Sequence, residues 1–263
     1  MRTILFIIFY SFLLTSTLFS SNEKSLLAAL KKYDPILEEK ETLKGTLHFP
    51  EVQKVLPNFY QDLFKRVHIQ LIASRSEFDI NVVGKNEFLK DMVKQQFLSV
   101  EEQLKETFFE AIQKDPLYRL NQLKKTPALY ENTISQSRNK TEFTFNNKIT
   151  EVKKQLGPKR ISFYLNHSGK LTRLFIKDWD VETEIEFTTQ EKNKRFYFTE
   201  LFLTQKRSLK TKHRKISIFY SENTVGRFPN KIQISDVDAS GKLIKNTNSL
   251  NPVSLYFKPK DHK

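Results

Sequence analysis

The sequence predicts an α+β protein in which a curved antiparallel β-sheet carries helices on one face. Three observations predict it. The stretch from Asn86 to Lys114 has the 3.6-residue period of a long amphipathic helix. From Thr141 onward, apolar residues recur at every second position in short segments separated by turn residues. The chain of 263 residues holds 23 Phe, flat apolar bulk that fills one large sheet–helix interface and equally suits an apolar binding cavity.

Met1-Arg2 is a short basic start, followed by an apolar run from Ile4 to Leu14 and small polar residues to Ser21. That is the layout of a signal peptide, with cleavage expected after Ser20; an uncleaved anchor is the alternative. The run is too short for a comfortable membrane span. Residues 21–263 then form a single α+β domain, helix-rich over 21–130 and built of antiparallel strands over 141–258. Ser25 to Leu37 reads as helical, with Asp34-Pro35 interrupting it. Leu43 to Phe49 reads as a strand, and Pro50 to Phe64 as a short helix or two. Arg66–Ala73 and Ser76–Val83 alternate cleanly and form a hairpin turned at Ser74-Arg75.

The long helix comes next, roughly 40 Å if unbroken. Leu89, Val93, Phe97, Val100, Leu104, Phe108 and Ala111 gather on one stripe. Phe88, Leu98 and Phe109 lie off it and imply a second apolar contact, to another element or to a ligand. Glu102, Glu106 and Glu110 form an acidic ridge. Asp115-Pro116 stops the helix, and Ser99 with Glu102 resembles a capping box that would divide it. The polar stretch from Tyr118 to Lys140 reads as a loop or short-helix linker.

Beyond it, the strands are read from Phe143 and Phe145; Ile161, Phe163 and Leu165; Leu171 to Lys177; and Val181, Ile185 and Phe187, the last ending at Gln190 to Lys194. They continue through Phe196, Phe198, Leu201 and Leu203; Ile216, Ile218 and Tyr220; Ile232 and Ile234; and Val253, Leu255 and Phe257. Turns are expected at His167-Ser168-Gly169-Lys170 and at Asp238 to Lys242. The result is an antiparallel meander with one covered face.

No chemistry stands out in this frame. Without cysteine there is no disulfide, thiolate metal site or cysteine nucleophile. The histidines, His48, His68, His167, His213 and His262, have no metal-ligand spacing. The acidic rows Glu102/Glu106/Glu110 and Glu182/Glu184/Glu186 read as solvated faces, since acid–base work needs carboxylates in differing environments. No Gly-rich phosphate loop or nucleophile elbow occurs. The expectation is a protein that is not an enzyme and carries no cofactor or metal.

The formal charge of +14 favours anionic surfaces. Its densest part is Lys206, Arg207, Lys210, Lys212, Arg214 and Lys215, with His213 among them. This run forms a hairpin connection or protruding strand ends, and is either a solvated edge that blocks aggregation or a docking site for an anionic membrane surface or an acidic partner. It lacks the interleaved aromatics of a nucleic-acid platform, so no nucleic acid is expected.

The C-terminal order carries a resemblance. Strand Ile216–Tyr220 is followed by Gly226-Arg227-Phe228-Pro229-Asn230-Lys231-Ile232-Gln233-Ile234, then by Asp238-Ala239-Ser240-Gly241-Lys242 and a last strand, Val253–Phe257. This order resembles the C-terminal half of the LolA/LolB-like lipoprotein carriers of the bacterial cell envelope. The resemblance implies an incomplete barrel whose concave face is covered by helices and holds lipid or the acyl chains of lipoproteins. No functional residue of that family maps onto the chain.

The expected function is therefore non-catalytic binding or carriage of a hydrophobic ligand, lipid or lipidated protein, by an exported protein of the periplasm or cell envelope. Phe97, Val100, Leu104 and Phe108, with the off-stripe Phe88, Leu98 and Phe109, are the candidate ligand-lining residues. The alternative is an envelope or surface interaction protein with a packed core and a basic docking face.

Overall fold

A computed structural model describes residues 21–37, 42–48, 68–88, 90–91, 94–95, 105, 108–109, 112–149, 157–220, 229–244 and 252–258. The elements among them are α1 (Ser21–Leu30), β1 (Leu43–His48), β2 (His68–Ala73), β3 (Phe78–Val83), α2 (Pro116–Lys125), β4 (Tyr130–Ser137), β5 (Lys140–Asn147), β6 (Arg160–Asn166), β7 (Leu171–Lys177), β8 (Val181–Lys192), β9 (Arg195–Arg207), β10 (Lys210–Tyr220), β11 (Pro229–Val237) and β12 (Val253–Lys258).

All twelve strands join one curved antiparallel sheet in the order β3-β2-β1-β12-β11-β10-β9-β8-β7-β6-β5-β4. From β4 to β12 the chain is a plain meander, each strand pairing with the next. The hairpin β2–β3 and strand β1 are added at the far side, where β1 pairs with β12. The sheet is not closed, because β3 and β4 are its two edges.

The alternation read from the sequence decides which side is covered. Ile161, Phe163 and Leu165 of β6, Leu174 and Ile176 of β7, Ile185 of β8 and Leu201 and Leu203 of β9 are all buried. They belong to one cluster with Leu26 and Leu30 of α1 and Leu120 and Leu123 of α2. The helices therefore pack on the apolar face, as a sheet with one hydrophobic side requires. Phe163 and Phe198 have no exposed surface, and losing such a side chain costs about 3–5 kcal/mol.

The opposite face is held by polar pairs across neighbouring strands. Lys177 Nζ lies 2.5 Å from Glu182, Arg173 lies 2.6 Å from Glu184 and Lys215 lies 2.5 Å from Glu200. The acidic alternation of β8 is thus a solvated face, as its period implied, with bases supplied by β7. Such exposed pairs contribute little each, but they favour one strand register.

Glu142 on β5 is the best-connected member of this face. Its Oε1 accepts hydrogen bonds from Thr144 at 3.0 Å, Arg160 at 2.8 Å and Tyr164 at 3.0 Å. Burial raises its carboxyl pKa, but the hydrogen bonds from Tyr164, Thr144, Arg160 and Ser162 outweigh it and hold the group below the usual range. A depressed folded pKa stabilises above the unfolded value and is lost as pH falls through the folded one. Glu142→Gln is expected to cost about 1–2 kcal/mol in urea unfolding at pH 7. The cost should shrink below the ordinary carboxylate range; a cost that stays constant to pH 3 contradicts the assignment.

Two expectations are corrected. Tyr118–Lys140 holds a short helix as expected, most of α2, but the rest is not a linker: it has a 3-10 turn at Pro127–Leu129 and the whole of β4. The α1 helix ends at Leu30 rather than running to Leu37; residues 31–37 continue without helical structure. One unbroken helix over Asn86–Lys114 is not shown. Of its described residues, 87–88, 90–91, 94–95, 105, 108–109 and 112–113 are helical, Asn86 and Lys114 at its ends are not, and the remainder lies outside the described set. The expected leader, the helices of 50–64 and the acidic ridge of Glu102, Glu106 and Glu110 also lie outside it.

Candidate functional site

The apolar face of the sheet and the segments covering it form the largest candidate site. The strands present Leu, Ile and Phe inward because alternation places every second side chain on that side. Among the described residues the cover is α1, residues 31–37, residues 108–109 and 112–115, and α2. Few polar bonds pin it to the sheet, and each is specific.

Residues 32–34 run alongside the start of β9. The Phe196 N–H donates to Lys32 O at 2.8 Å, and the Asp34 N–H donates to Phe196 O at 3.0 Å. Tyr33 is driven into the interior, with its ring centroid 5.0 Å from that of Phe196 and 5.4 Å from that of Phe198. Its phenol oxygen accepts the Leu171 N–H at 2.7 Å. Burial pushes the phenol pKa up, and the Leu171 N–H pulls it the other way. Asp34 forms an ion pair with Arg195.

The second pin is Asp115. Its Oδ1 accepts the Leu117 N–H at 2.8 Å, which caps α2, with Pro116 beginning the helix where a missing N–H costs nothing. Its Oδ2 accepts the Ile36 N–H at 2.8 Å, across 79 residues of sequence. The carboxyl group is buried, and burial raises its pKa against the opposing hydrogen bonds and the Arg75 charge. Arg75, in the β2–β3 turn, donates from Nε to Leu37 O at 2.7 Å and lies over the Tyr118 ring at 5.5 Å. One buried carboxylate and one arginine thus join residues 36–37, the β2–β3 turn and α2.

Tyr220 of β10 lies at the inner side of this seam. Its hydroxyl donates to Phe198 O at 3.0 Å. Burial, then the Asp115 and Asp34 carboxylates and Tyr197, push its pKa far above the ordinary phenol value. It stays protonated at every physiological pH and serves as a fixed donor.

The candidate ligand-lining residues fall into three groups. Phe108 is fully buried and meets Phe78 of β3 and Phe109 at centroid distances of 5.2 and 5.8 Å. Phe109 is half-buried and packs against the same core. Phe88 is 72% exposed. Phe97, Leu98, Val100 and Leu104 lie outside the described residues. The structure therefore brings Phe108 and Phe109 together over β3 and leaves Phe88 pointing to solvent.

The basic run forms the end of the β9–β10 hairpin. Arg207 pairs with Asp180 at 2.7 Å, Arg214 with Asp236 at 3.0 Å and Lys215 with Glu200 at 2.5 Å. Lys206, Lys210 and Lys212 are exposed near its tip. The hairpin was legible as strand ends; the acidic partners were not, because Asp180 and Asp236 come from two other segments and Glu200 from the facing strand of the hairpin. Sequence reasoning read Asp115 as a helix stop and Arg75 as a turn residue, without a role in a site, and passed over Tyr33, two residues before Pro35.

Among the described residues, no group of His, Asp and Glu is placed to hold a metal ion. No described helix is long and apolar enough to cross a membrane. A cleft of about 410 Å³ on the solvated face lies between Phe202, Glu186, Lys215 and the Ala239–Gly241 turn. Its lining is mixed: Phe187 and Phe202 stand beside Glu186, Glu200 and Lys215, and the Ser240 hydroxyl donates to Asp238 Oδ1 at 2.7 Å. No family model, curated protein or solved structure matches the chain.

Proposed function

We propose that this is an exported cell-envelope protein that binds or carries a hydrophobic ligand, a lipid or a lipidated protein, without catalysis. The observation carrying the reading is the architecture of the covered face. A wide apolar sheet surface is not closed into a barrel, and among the described residues it is covered by short segments. The resemblance to LolA/LolB-like carriers leads to the same ligand class.

In this mechanism an acyl chain replaces part of the cover against the Phe- and Ile-rich strands. Burial of its surface contributes about 25 cal/mol per Å², so a chain burying a few hundred Å² offsets the displaced contacts. The pins at Tyr33 and Asp115 keep the cover in register and return it after release. The ends of the helical stretch, Phe88 and Phe108–Phe109, are where the cover meets solvent and core respectively.

The test has two readouts. Organic extraction of the purified protein followed by mass spectrometry is expected to release lipid. The stripped protein is expected to bind a fluorescent fatty acid saturably, with a blue-shifted emission. An empty extract together with no saturable binding overturns carriage. That outcome selects the second reading, an envelope interaction protein, for which the complete burial of Tyr33, Leu171 and Phe198 is the favouring observation.

A further inference from the structure

The rim of the sheet at the β7–β8 and β9–β10 turns carries an inference that goes beyond ligand carriage and does not depend on it. The β9–β10 connection is a two-residue turn, Ser208–Leu209, with Arg207 and Lys210 as the last paired rung. Ser208 takes a left-handed φ of 52°. Leu209 is fully exposed, at 101% relative accessibility. A leucine gives such a turn nothing, since tight turns favour Gly, Asn, Asp and Ser. The β8–β9 turn in the same sheet shows the ordinary solution, Asn193-Lys194, with φ values of 54° and 62°.

The neighbouring turn supplies a second apolar group. Trp179, the chain's single tryptophan, lies between β7 and β8 and is 40% exposed. Val181 pairs with Arg207, so Trp179 and Leu209 stand at the same height on adjacent turns. The Arg207–Asp180 ion pair at 2.7 Å ties the two turns together.

Cations outnumber acids around this pair, where Asp178 and Asp180 flank Trp179 and Glu182 stands opposite Lys206. Lys159 Nζ lies 5.5 Å from the Trp179 ring centroid, and Lys206, Lys210 and Lys212 flank Leu209. Lys206 alternates onto the solvated side of the ribbon, and Lys210 and Lys212 onto the other. The hairpin also overshoots its neighbour. The last rung with β11 is His213–Val237, three residues below Lys210, or about 10 Å at the rise of an extended strand.

We infer that this rim is a membrane-docking edge, in which Leu209 and Trp179 enter the headgroup region of an anionic bilayer while Lys159, Lys206, Lys210 and Lys212 contact lipid phosphates. Cations alone suit any polyanion. A protruding leucine beside an exposed tryptophan, with lysines on both sides of the ribbon, suits the boundary between headgroups and acyl chains. The placement of cations on both ribbon sides makes the docking edge-on, with the sheet standing up from the surface.

Trp179 is its own reporter. The full chain is mixed with vesicles of phosphatidylcholine alone or with one quarter phosphatidylglycerol, at physiological salt. Sedimentation with the anionic vesicles and a blue shift of tryptophan emission are expected, and neither with the neutral ones. Leu209→Ser should abolish the blue shift and weaken sedimentation at least about fivefold, and each of Lys210→Ser and Lys212→Ser should weaken it roughly fivefold. The double variant Lys192→Glu, Lys194→Glu lowers the net charge at the opposite end of β9 and should bind as the parent does. No binding to anionic vesicles overturns the inference. So does binding with unchanged emission that Leu209→Ser leaves intact, which assigns the lysines to an acidic macromolecule or to net charge alone. Fatty-acid loading of Leu209→Ser should equal the parent's, so failure of carriage and failure of docking are read separately.

Discussion

Replacing Asp115 with alanine is expected to destabilise the protein by about 3 kcal/mol, a lost helix cap plus a buried donor left without a partner. The Leu117 N–H at the start of α2 and the Ile36 N–H of the cover share this carboxylate at 2.8 Å each. Asp115→Asn keeps one acceptor oxygen and should lose about 1 kcal/mol at neutral pH. The two variants also separate by pH. Burial raises the folded pKa of Asp115 above its ordinary value of 3.8. The folded state then binds the proton more tightly than the unfolded one, so this group's contribution falls as pH rises from 3.8 through the raised value. Parent minus Asp115→Asn stability, from urea unfolding, should therefore decline over that window. A difference that grows with pH refutes the raised pKa, and an Asp115→Ala cost below about 1 kcal/mol refutes the pin.

Gly45→Ala is expected to do comparable damage by a different route. Gly45 stands opposite Phe257 on β12 and Leu71 on β2. A Cβ at this position would lie 2.0 Å from the Tyr256 carbonyl oxygen and 3.0 Å from Phe257 Cα. Both are backbone atoms that no side-chain rotation removes. Relief requires β1 to move away from β12, at a cost of about 3 kcal/mol, the upper end of overpacking. Because β1 alone joins β2 and β3 to the rest of the sheet, the loss should be local first. Hydrogen exchange is expected to show β1–β3 amides losing protection while β6–β10 keep theirs. Uniform loss, or none, contradicts this placement of the seam.

The strand assignments that succeeded share one property. In β6, β7 and β9–β12 the inner side chains are large and apolar and the outer ones mostly polar, with Phe175, Phe202, Phe219 and Tyr256 as exceptions, so hydration distinguishes the faces. Strand β4 lacks that contrast. Its sequence, Tyr130-Glu131-Asn132-Thr133-Ile134-Ser135-Gln136-Ser137, offers only Tyr130 and Ile134 to the core. As an edge strand it has one neighbour and less to bury, and it reads as a polar linker. The end of β9 and the start of β10 were under-read for the same reason: they continue as a ribbon beyond the core, where no apolar period marks them.

The candidate site divides in the same way. The basic run was visible as composition, and its position on one hairpin as strand ends. Its ion pairs with Asp180, Glu200 and Asp236 depend on which strands and turns lie beside it. Trp179 and Leu209 are 30 positions apart in sequence, and only the pairing of Val181 with Arg207 makes them neighbours. Phe108 and Phe109 were expected on one helix, but their contact with Phe78 required the helical stretch to return over β3.

The amino-acid pattern by itself determined an antiparallel meander with one apolar face, its turns at residues 167–170 and 238–242, and the solvated acidic side of β8. Those follow from local alternation and turn chemistry, which each segment carries independently of its partners. Tertiary structure alone decided that β1 lies against β12, that Asp115 pins residues far from it, and that two exposed apolar residues share a basic rim. Each of these depends on complementarity between distant segments: a missing Cβ, a buried acceptor, a matched register. Such complementarity exists only once the sheet has brought the segments together.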